Sequence, residues 1–169
     1  MSYSVAGLPL HPLLVHATVV IVPAAALSVL LAALWPRFRR WSGFLPLGLA
    51  VAGLILDPLS TASGESLEHQ VGESGLIEKH SELAAALLPW MIVLVVMAAG
   101  LYAWHWRKSR RATNEPSTQR AWVPVVISAL AVVAALGTAV QVVLVGHSGA
   151  EATWSHVASH SAGAGAADK

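Results

Sequence analysis

Histidines occur where the apolar segments of this chain begin or end. His16 lies at the start of the first such segment, His80 just before the third and His147 just after the fourth. At about 1.5 Å of rise per helical residue, the three fall within about one or two turns of the same depth. Imidazole is the commonest neutral ligand for Zn, Cu and Fe ions and for haem iron. The spacing therefore predicts a shared site; the alternative is three separate histidines that hydrogen-bond helix ends or nearby acids.

Carboxylates accompany these histidines. Glu65 and Glu68, at the end of the second apolar segment, are predicted to bind a metal or to orient a ligating histidine, the alternative being a solvated loop face. Glu151 is predicted to support the site from beside it. His11 is predicted to be a ligand or to support the site in the same way; the alternative is that it caps a helix or contacts a lipid headgroup. His11 and His16 are about 140° apart around a helix, so both point inward only if the helix begins between them.

Asp57 lies well inside the second apolar segment. A carboxylate at that depth is expected to face the protein interior, with a partner or in its neutral form. It too is predicted to support the site. Small residues follow it in the stretch "STASG", residues 60–64. Small residues allow neighbouring helices to approach closely or leave space for a flat cofactor, and the sequence leaves both open.

The elements that must position these side chains are membrane-spanning helices. The chain is 56% hydrophobic and 11% charged, whereas a soluble domain carries about 25% charged residues. A membrane span needs about 20 apolar residues, and four segments satisfy this: 13–35, 43–62, 83–103 and 123–146. With short loops between them, they predict an all-α, up-and-down four-helix bundle in which the first and third spans are diagonal. The chain has no cysteine, which excludes thiolate ligands and disulfides.

The distribution of lysine and arginine residues predicts the orientation of the protein in the membrane. Eight of the ten Lys and Arg residues lie in the loops 36–42 and 104–121. The positive-inside rule places these loops in the cytoplasm of a bacterium, with the protein in its inner membrane. Both termini and the loop 63–82 then lie outside the cytoplasm. Seven of the eight histidines fall at that outer end, and only His105 lies at the inner one.

The chain is predicted to form a transmembrane domain, residues 1–154, followed by a flexible, low-complexity tail, residues 155–169. The predicted partner along the spans is the lipid bilayer. The two basic loops are short, and topology and anionic headgroups account for them, so we expect no nucleic-acid partner.

Four stretches resemble one family. "GLPLHPLLVH", "SGESLEH", "EKHSELA" and "VGHSGAEATW" are similar to the bacterial membrane family DUF2231, domain of unknown function 2231, over residues 7–154. The resemblance implies a four-helix membrane domain with histidines at one end. Relatives are sometimes joined to Rieske iron–sulfur domains, which implies a redox setting, although this chain has no cysteine for such a cluster. The family pattern falls on His11, His16, Glu65, Glu68, His80, His147 and Glu151.

Three hypotheses follow. The first is a haem b protein with His16 and His80 as axial ligands and His147 as substitute, which passes single electrons to a quinone or an outer-face partner. The second is a bare Zn, Cu or Fe ion held by the same three histidines with Glu65 or Glu68. The third is a subunit of a membrane complex or homo-oligomer without a cofactor. The sequence gives no evidence for a turnover reaction.

Overall fold

The computed structural model describes residues 4–5, 8–71, 75–111 and 122–164. Two strands of two residues each, β1 (Ser4–Val5) and β2 (Leu8–Pro9), pair antiparallel ahead of the helices. The helices are α1 (Leu10–Leu34), α2 (Pro36–Ser42), α3 (Leu45–Val71), α4 (Gly75–Ala85), α5 (Leu87–Arg111) and α6 (Trp122–Ala164). The all-α prediction is therefore confirmed for these residues, apart from the short β ladder.

Four helical stretches are long and apolar enough to cross a membrane: Leu13–Leu34, Leu45–Glu65, Gly75–Arg107 and Trp122–Trp154. The third combines α4 and α5, which are separated only by Ala86. The predicted number and order of spans are confirmed, but the helices continue beyond the predicted ends. Most of the predicted loop 63–82 is helical, and α6 continues to Ala164 through the first ten residues of the predicted tail.

Proline and glycine set the helix boundaries where the chain first reverses direction, between α1 and α3. Trp35 is extended (φ −120°, ψ 101°) because the ring of Pro36 disfavours a helical residue before it, and α1 therefore ends at Leu34. Gly43 has φ 52°, a conformation that glycine adopts without strain, and it ends α2. This tight connection returns the chain into α3 beside α1.

The four spans form a square. α1 packs against α3 and α6, and α5 packs against the same two helices, whereas α1 and α5 make few contacts. The first and third spans are thus diagonal, as predicted. Nine of the fifteen buried apolar residues are alanine, so the helices approach closely, as small residues allow in membrane bundles. The outward faces carry exposed valines and leucines, for example Val20 and Val143, which suits contact with lipid.

The two ends of the bundle differ in chemistry. The histidine end carries His11, His16, His80 and His147, and the arginine end carries Arg37, Arg39, Arg40 and His105. Between them the core changes character. Its half nearer the histidine end contains the buried polar residues Asp57, Ser60, Gln141 and Ser148, whereas the other half consists mainly of alanine, valine and leucine. The polar half is where a ligand that needs polar contacts would be bound.

Candidate functional site

His11 lies in the first turn of α1 and contacts α3. Its Nδ1 is 2.9 Å from Ser63 Oγ and 3.2 Å from the carbonyl oxygen of Ser60. Ser63 Oγ donates its own proton to that same carbonyl, at 2.8 Å. Because both neighbouring oxygens therefore accept, Nδ1 carries the proton, and the lone pair of the neutral imidazole lies on Nε2. His11 is thus oriented with one ring nitrogen held and the other available for a ligand.

His80, on α4, contacts α6 in the same way. Its Nδ1 is 3.0 Å from Ser148 Oγ, and Ser148 Oγ donates to the carbonyl oxygen of Val145, also at 3.0 Å. The imidazole makes a further hydrogen bond to the Val145 backbone. Nδ1 is again the donor, and Nε2 again keeps the lone pair of the neutral ring.

A glycine follows the serine in each case and lies against the imidazole. A Cβ added to Gly64 would be 3.1 Å from His11 Cε1, and one added to Gly149 would be 3.1 Å from His80 Cε1. Both distances are tighter than ordinary van der Waals contact, so any side chain at either position would press on the ring. Of the two roles left open for the small residues, the structure uses these glycines for close approach.

We call each arrangement of histidine, serine and glycine a histidine clasp. The first clasp is His11, Ser63 and Gly64, and the second is His80, Ser148 and Gly149. The first joins spans one and two, and the second joins spans three and four, with nearly equal distances. The two halves of the chain therefore repeat one arrangement, as in membrane folds built from parallel repeats. Both clasps lie at the histidine end of the bundle.

The other predicted ligands lie on the outside of the bundle. His16 and Glu65 are exposed. The side chain of His147 is 74% exposed, with Nε2 3.4 Å from Glu151 Oε1, and Glu151 Oε2 is 3.9 Å from Lys79 Nζ. These three residues form a surface ion-pair cluster rather than support for an internal site.

The predicted grouping of His16, His80 and His147 is therefore not formed. Among the side chains that the structure describes, no three His, Asp or Glu residues are placed to hold one metal ion. Glu68 belongs to α3, but its side chain lies outside the described part, so its predicted role is not tested. The rotational position of α1 explains why His11, and not His16, faces a neighbouring helix. The helix begins before both histidines, so only one of the two can face inward.

Asp57 is 4% exposed and lies on α3 below the first clasp, on the same face as Gly64. One turn above it, Ser60 Oγ and Thr18 Oγ1 are 2.7 Å apart. Thr61 donates to the backbone carbonyl of Asp57, at 3.1 Å. A carboxylate at this depth is costly when charged. Asp57 thus forms the polar base of the histidine end.

Replacing Asp57 by Asn is expected to change the free energy of unfolding by less than about 1 kcal/mol, because an amide matches a neutral carboxyl group in shape and polarity. Asp57→Lys places a permanent charge at the same depth and should cost at least about 2.5 kcal/mol. Thermal unfolding in detergent measures both. Equal losses for the two variants would show instead that Asp57 is held as a charged group by a partner.

Ser63→Ala and Ser148→Ala are each expected to lower stability by about 1 kcal/mol, because each removes one of the two acceptors near an imidazole N–H. Ser81→Ala is the matched control: Ser81 Oγ makes the same kind of local bond, to Glu78 O at 2.9 Å, at an exposed position. We expect it to change stability by less than about 0.5 kcal/mol. If all three variants unfold at the same temperature, the clasps contribute nothing to the fold.

Sequence reasoning gave Ser63 and Gly64 only a role as small residues, and it did not pair Ser148 and Gly149 with a histidine. A signal was present, because the dipeptide Ser-Gly ends span two at 63–64 and span four at 148–149. The signal has meaning only when each dipeptide is paired with a histidine 52 or 68 residues away. That pairing depends on which helices are neighbours.

A chain with four apolar helices, lipid-suited outer faces and a polar core at one end is an integral membrane protein of the helical-bundle class. The comparisons agree with this class. The model of the family DUF2231, described as a predicted membrane protein, matches residues 7–162. The chain belongs to this family. No curated protein and no solved structure matches it.

Proposed function

We propose that this protein binds haem b at the histidine end and transfers single electrons, and that His11 and His80 would hold the haem. The proposal keeps the cofactor favoured by the sequence and replaces His16 by His11. The observation that carries it is the pair of clasps, which hold two imidazoles by Nδ1 and leave both Nε2 atoms for a ligand. Ligating histidines almost always donate their other ring N–H to a fixed acceptor, and the clasps provide such acceptors.

The number of candidate ligands favours haem over a bare ion. Haem iron takes four ligands from the porphyrin and needs at most two from the protein, whereas a structural zinc site needs four protein ligands. The two half-buried histidines of the clasps, on diagonal spans, match the first number. Neutral imidazoles also suit an apolar membrane domain, because they add no uncompensated charge. A bare metal site would require His16, His147 or Glu65 to turn inward.

Haem would supply one-electron chemistry, and the residues of this chain would hold and orient it. Ser63 and Ser148 fix the tautomer and direction of the two imidazoles. The structure has a pocket at the arginine end, and haem binding at the histidine end would require the two clasped helix pairs to separate. We therefore expect the haem-bound protein to differ from the present structure between the two clasps, with each clasp intact.

The proposed setting is the bacterial inner membrane, with the arginine end in the cytoplasm. The many arginines at one end support this orientation through the positive-inside rule. The histidine end would then face the outer side, where a quinone or a redox protein would exchange electrons with the haem. Attachment of a reporter enzyme to either terminus tests the orientation, since both termini should report the outer side.

A reduced-minus-oxidised visible spectrum of the protein, purified in mild detergent from haem-supplemented cells, tests the function. The expected result is a sharp Soret band and a sharp α band, with one haem or less per chain. A featureless spectrum together with a stoichiometric metal in elemental analysis would replace haem by a bare ion. A featureless spectrum without metal would overturn the proposal in favour of a structural subunit without a cofactor.

A further inference from the structure

A cleft opens at the arginine end, far from the two clasps. It lies between the end of α1, the junction of α2 with α3, and the end of α5. Its lining includes the polar residues Arg39, Ser42 and His105 and the apolar residues Leu47 and Leu101. Its water-accessible volume of about 10 Å³ admits a single small group, such as one oxygen atom with its protons.

Ser42 makes this cleft unusual. Its Oγ is fully buried, and it has no hydrogen-bond partner among the described residues. Among the described residues, it is the single buried side-chain nitrogen or oxygen atom without a hydrogen-bond partner. A buried hydroxyl without a partner costs free energy comparable to a lost hydrogen bond. Because Ser42 lines the cleft, a group that enters the cleft would supply that partner.

Arg39 supplies a permanent positive charge in the same cleft as Ser42. Nε and Nη2 donate to the carbonyl oxygens of Ala32 and Ala33, at 2.6 and 2.9 Å, and so cap the end of α1. These two bonds use two of the five N–H groups of the guanidinium. Burial lowers the pKa of Arg39, yet a guanidinium remains protonated at neutral pH. The described residues of the arginine end include no carboxylate to neutralise it.

The surroundings of the cleft suit a lipid. Phe44 and Tyr102 meet edge to face beside it, with ring centroids 5.9 Å apart, and Phe44 is 59% exposed on the lipid-facing surface. Trp41 and Trp106 are exposed at the same end, where indoles mark the membrane–water interface. The exposed Phe44 gives an acyl chain an apolar surface to lie against beside the cleft, and a soluble anion has no such chain.

We propose that the cleft binds the phosphate group of an anionic phospholipid. One phosphate oxygen would enter the cleft, which His105 also lines, and accept from Ser42 Oγ and the Arg39 guanidinium, while an acyl chain would lie outside the cleft against the exposed Phe44. Basic pockets between membrane helices bind lipid headgroups by this chemistry. The small volume admits that one oxygen and excludes bulky sugar headgroups from the interior. This site is independent of the haem proposal.

Native mass spectrometry of the full chain, titrated with phosphatidylglycerol and separately with phosphatidylcholine, tests the site. We expect phosphatidylglycerol to bind at least about tenfold more tightly, and Ser42→Ala to reduce that binding about tenfold, the effect of one charge-assisted hydrogen bond. Ser42→Ala removes no hydrogen bond between Ser42 and the described residues, so it should fold normally. Arg39→Gln is less suitable because it also uncaps α1.

Arg40→Gln is the matched control. Arg40 is exposed on the same short helix outside the cleft, and its loss removes one positive charge without touching Ser42. We expect it to weaken lipid binding by less than about threefold, because exposed charges act through screened, long-range attraction. Equal losses in Ser42→Ala and Arg40→Gln, or equal affinity for the two lipids, would overturn the site. Full competition by millimolar inorganic phosphate would replace the lipid by a soluble anion.

Discussion

His11→Ala and His80→Ala are each expected to lower the haem content of the purified protein by well over tenfold, whereas His16→Ala and His147→Ala should retain it. Loss of a hydrogen-bond partner of a ligating histidine alone weakens metal binding by about 10- to 100-fold, so loss of the ligand itself should exceed this. His16 and His147 are exposed, and His147 pairs with Glu151 at the surface. Absorbance at the Soret band per protein measures the result.

Comparing the four histidine variants distinguishes the loss of a haem ligand from the loss of the fold. All four variants replace one histidine by alanine at the same end of the bundle, and circular dichroism in detergent reports whether each remains helical. Ser63→Ala should give an intermediate result, with haem bound more weakly. Full haem content in either His11→Ala or His80→Ala would remove that residue as a ligand. Loss in His16→Ala with retention in His11→Ala would restore the pairing that the sequence suggested.

Gly137→Ala is expected to destabilise the bundle by about 1 to 3 kcal/mol, the usual cost of overpacking a core. A Cβ at Gly137, in the middle of α6, would overlap the indole ring of Trp90 on α5. An indole cannot yield by bending, so the whole side chain must change rotamer or the two helices must separate. Thermal unfolding in detergent, followed by circular dichroism, measures the loss.

Gly146→Ala is the control for this substitution. Gly146 lies on the same helix, and a Cβ there would have no neighbour within 4 Å. Because alanine favours a helix interior over glycine by about 1 kcal/mol, Gly146→Ala should raise stability slightly. A stable Gly137→Ala variant would contradict the close packing of α5 on α6. A further variant, Gly137→Ala with Trp90→Phe, should recover part of the loss.

The membrane-spanning architecture could be predicted from local composition. A span is defined by about 20 consecutive apolar residues, and the segments ending near Trp35 and Ala103 satisfy this without reference to any other part of the chain. The Arg-rich loops between them likewise predict an orientation by a simple count. Helix ends were predicted less well, because α3 and α6 continue as polar helices beyond the apolar segments, where hydropathy no longer marks them.

The inward face of each helix could not be predicted in the same way. A helix that is apolar on all sides has no amphipathic stripe to show which side is buried, and α1 is of this kind. The choice between His11 and His16 is a choice of helical phase, which depends on packing against α3. The same limit applies to His147, whose neighbour Ser148 faces inward in its place.

The amino-acid sequence by itself determined four spans, a polar histidine end and a basic opposite end, because each follows from the free energy of transferring local groups between water and lipid. Only the tertiary structure decided which side chains meet. His11 reaches Ser63 and His80 reaches Ser148 because α1 lies beside α3 and α4 lies beside α6. Those neighbour relations arise from close packing among residues that are far apart along the chain, and no local pattern specifies them.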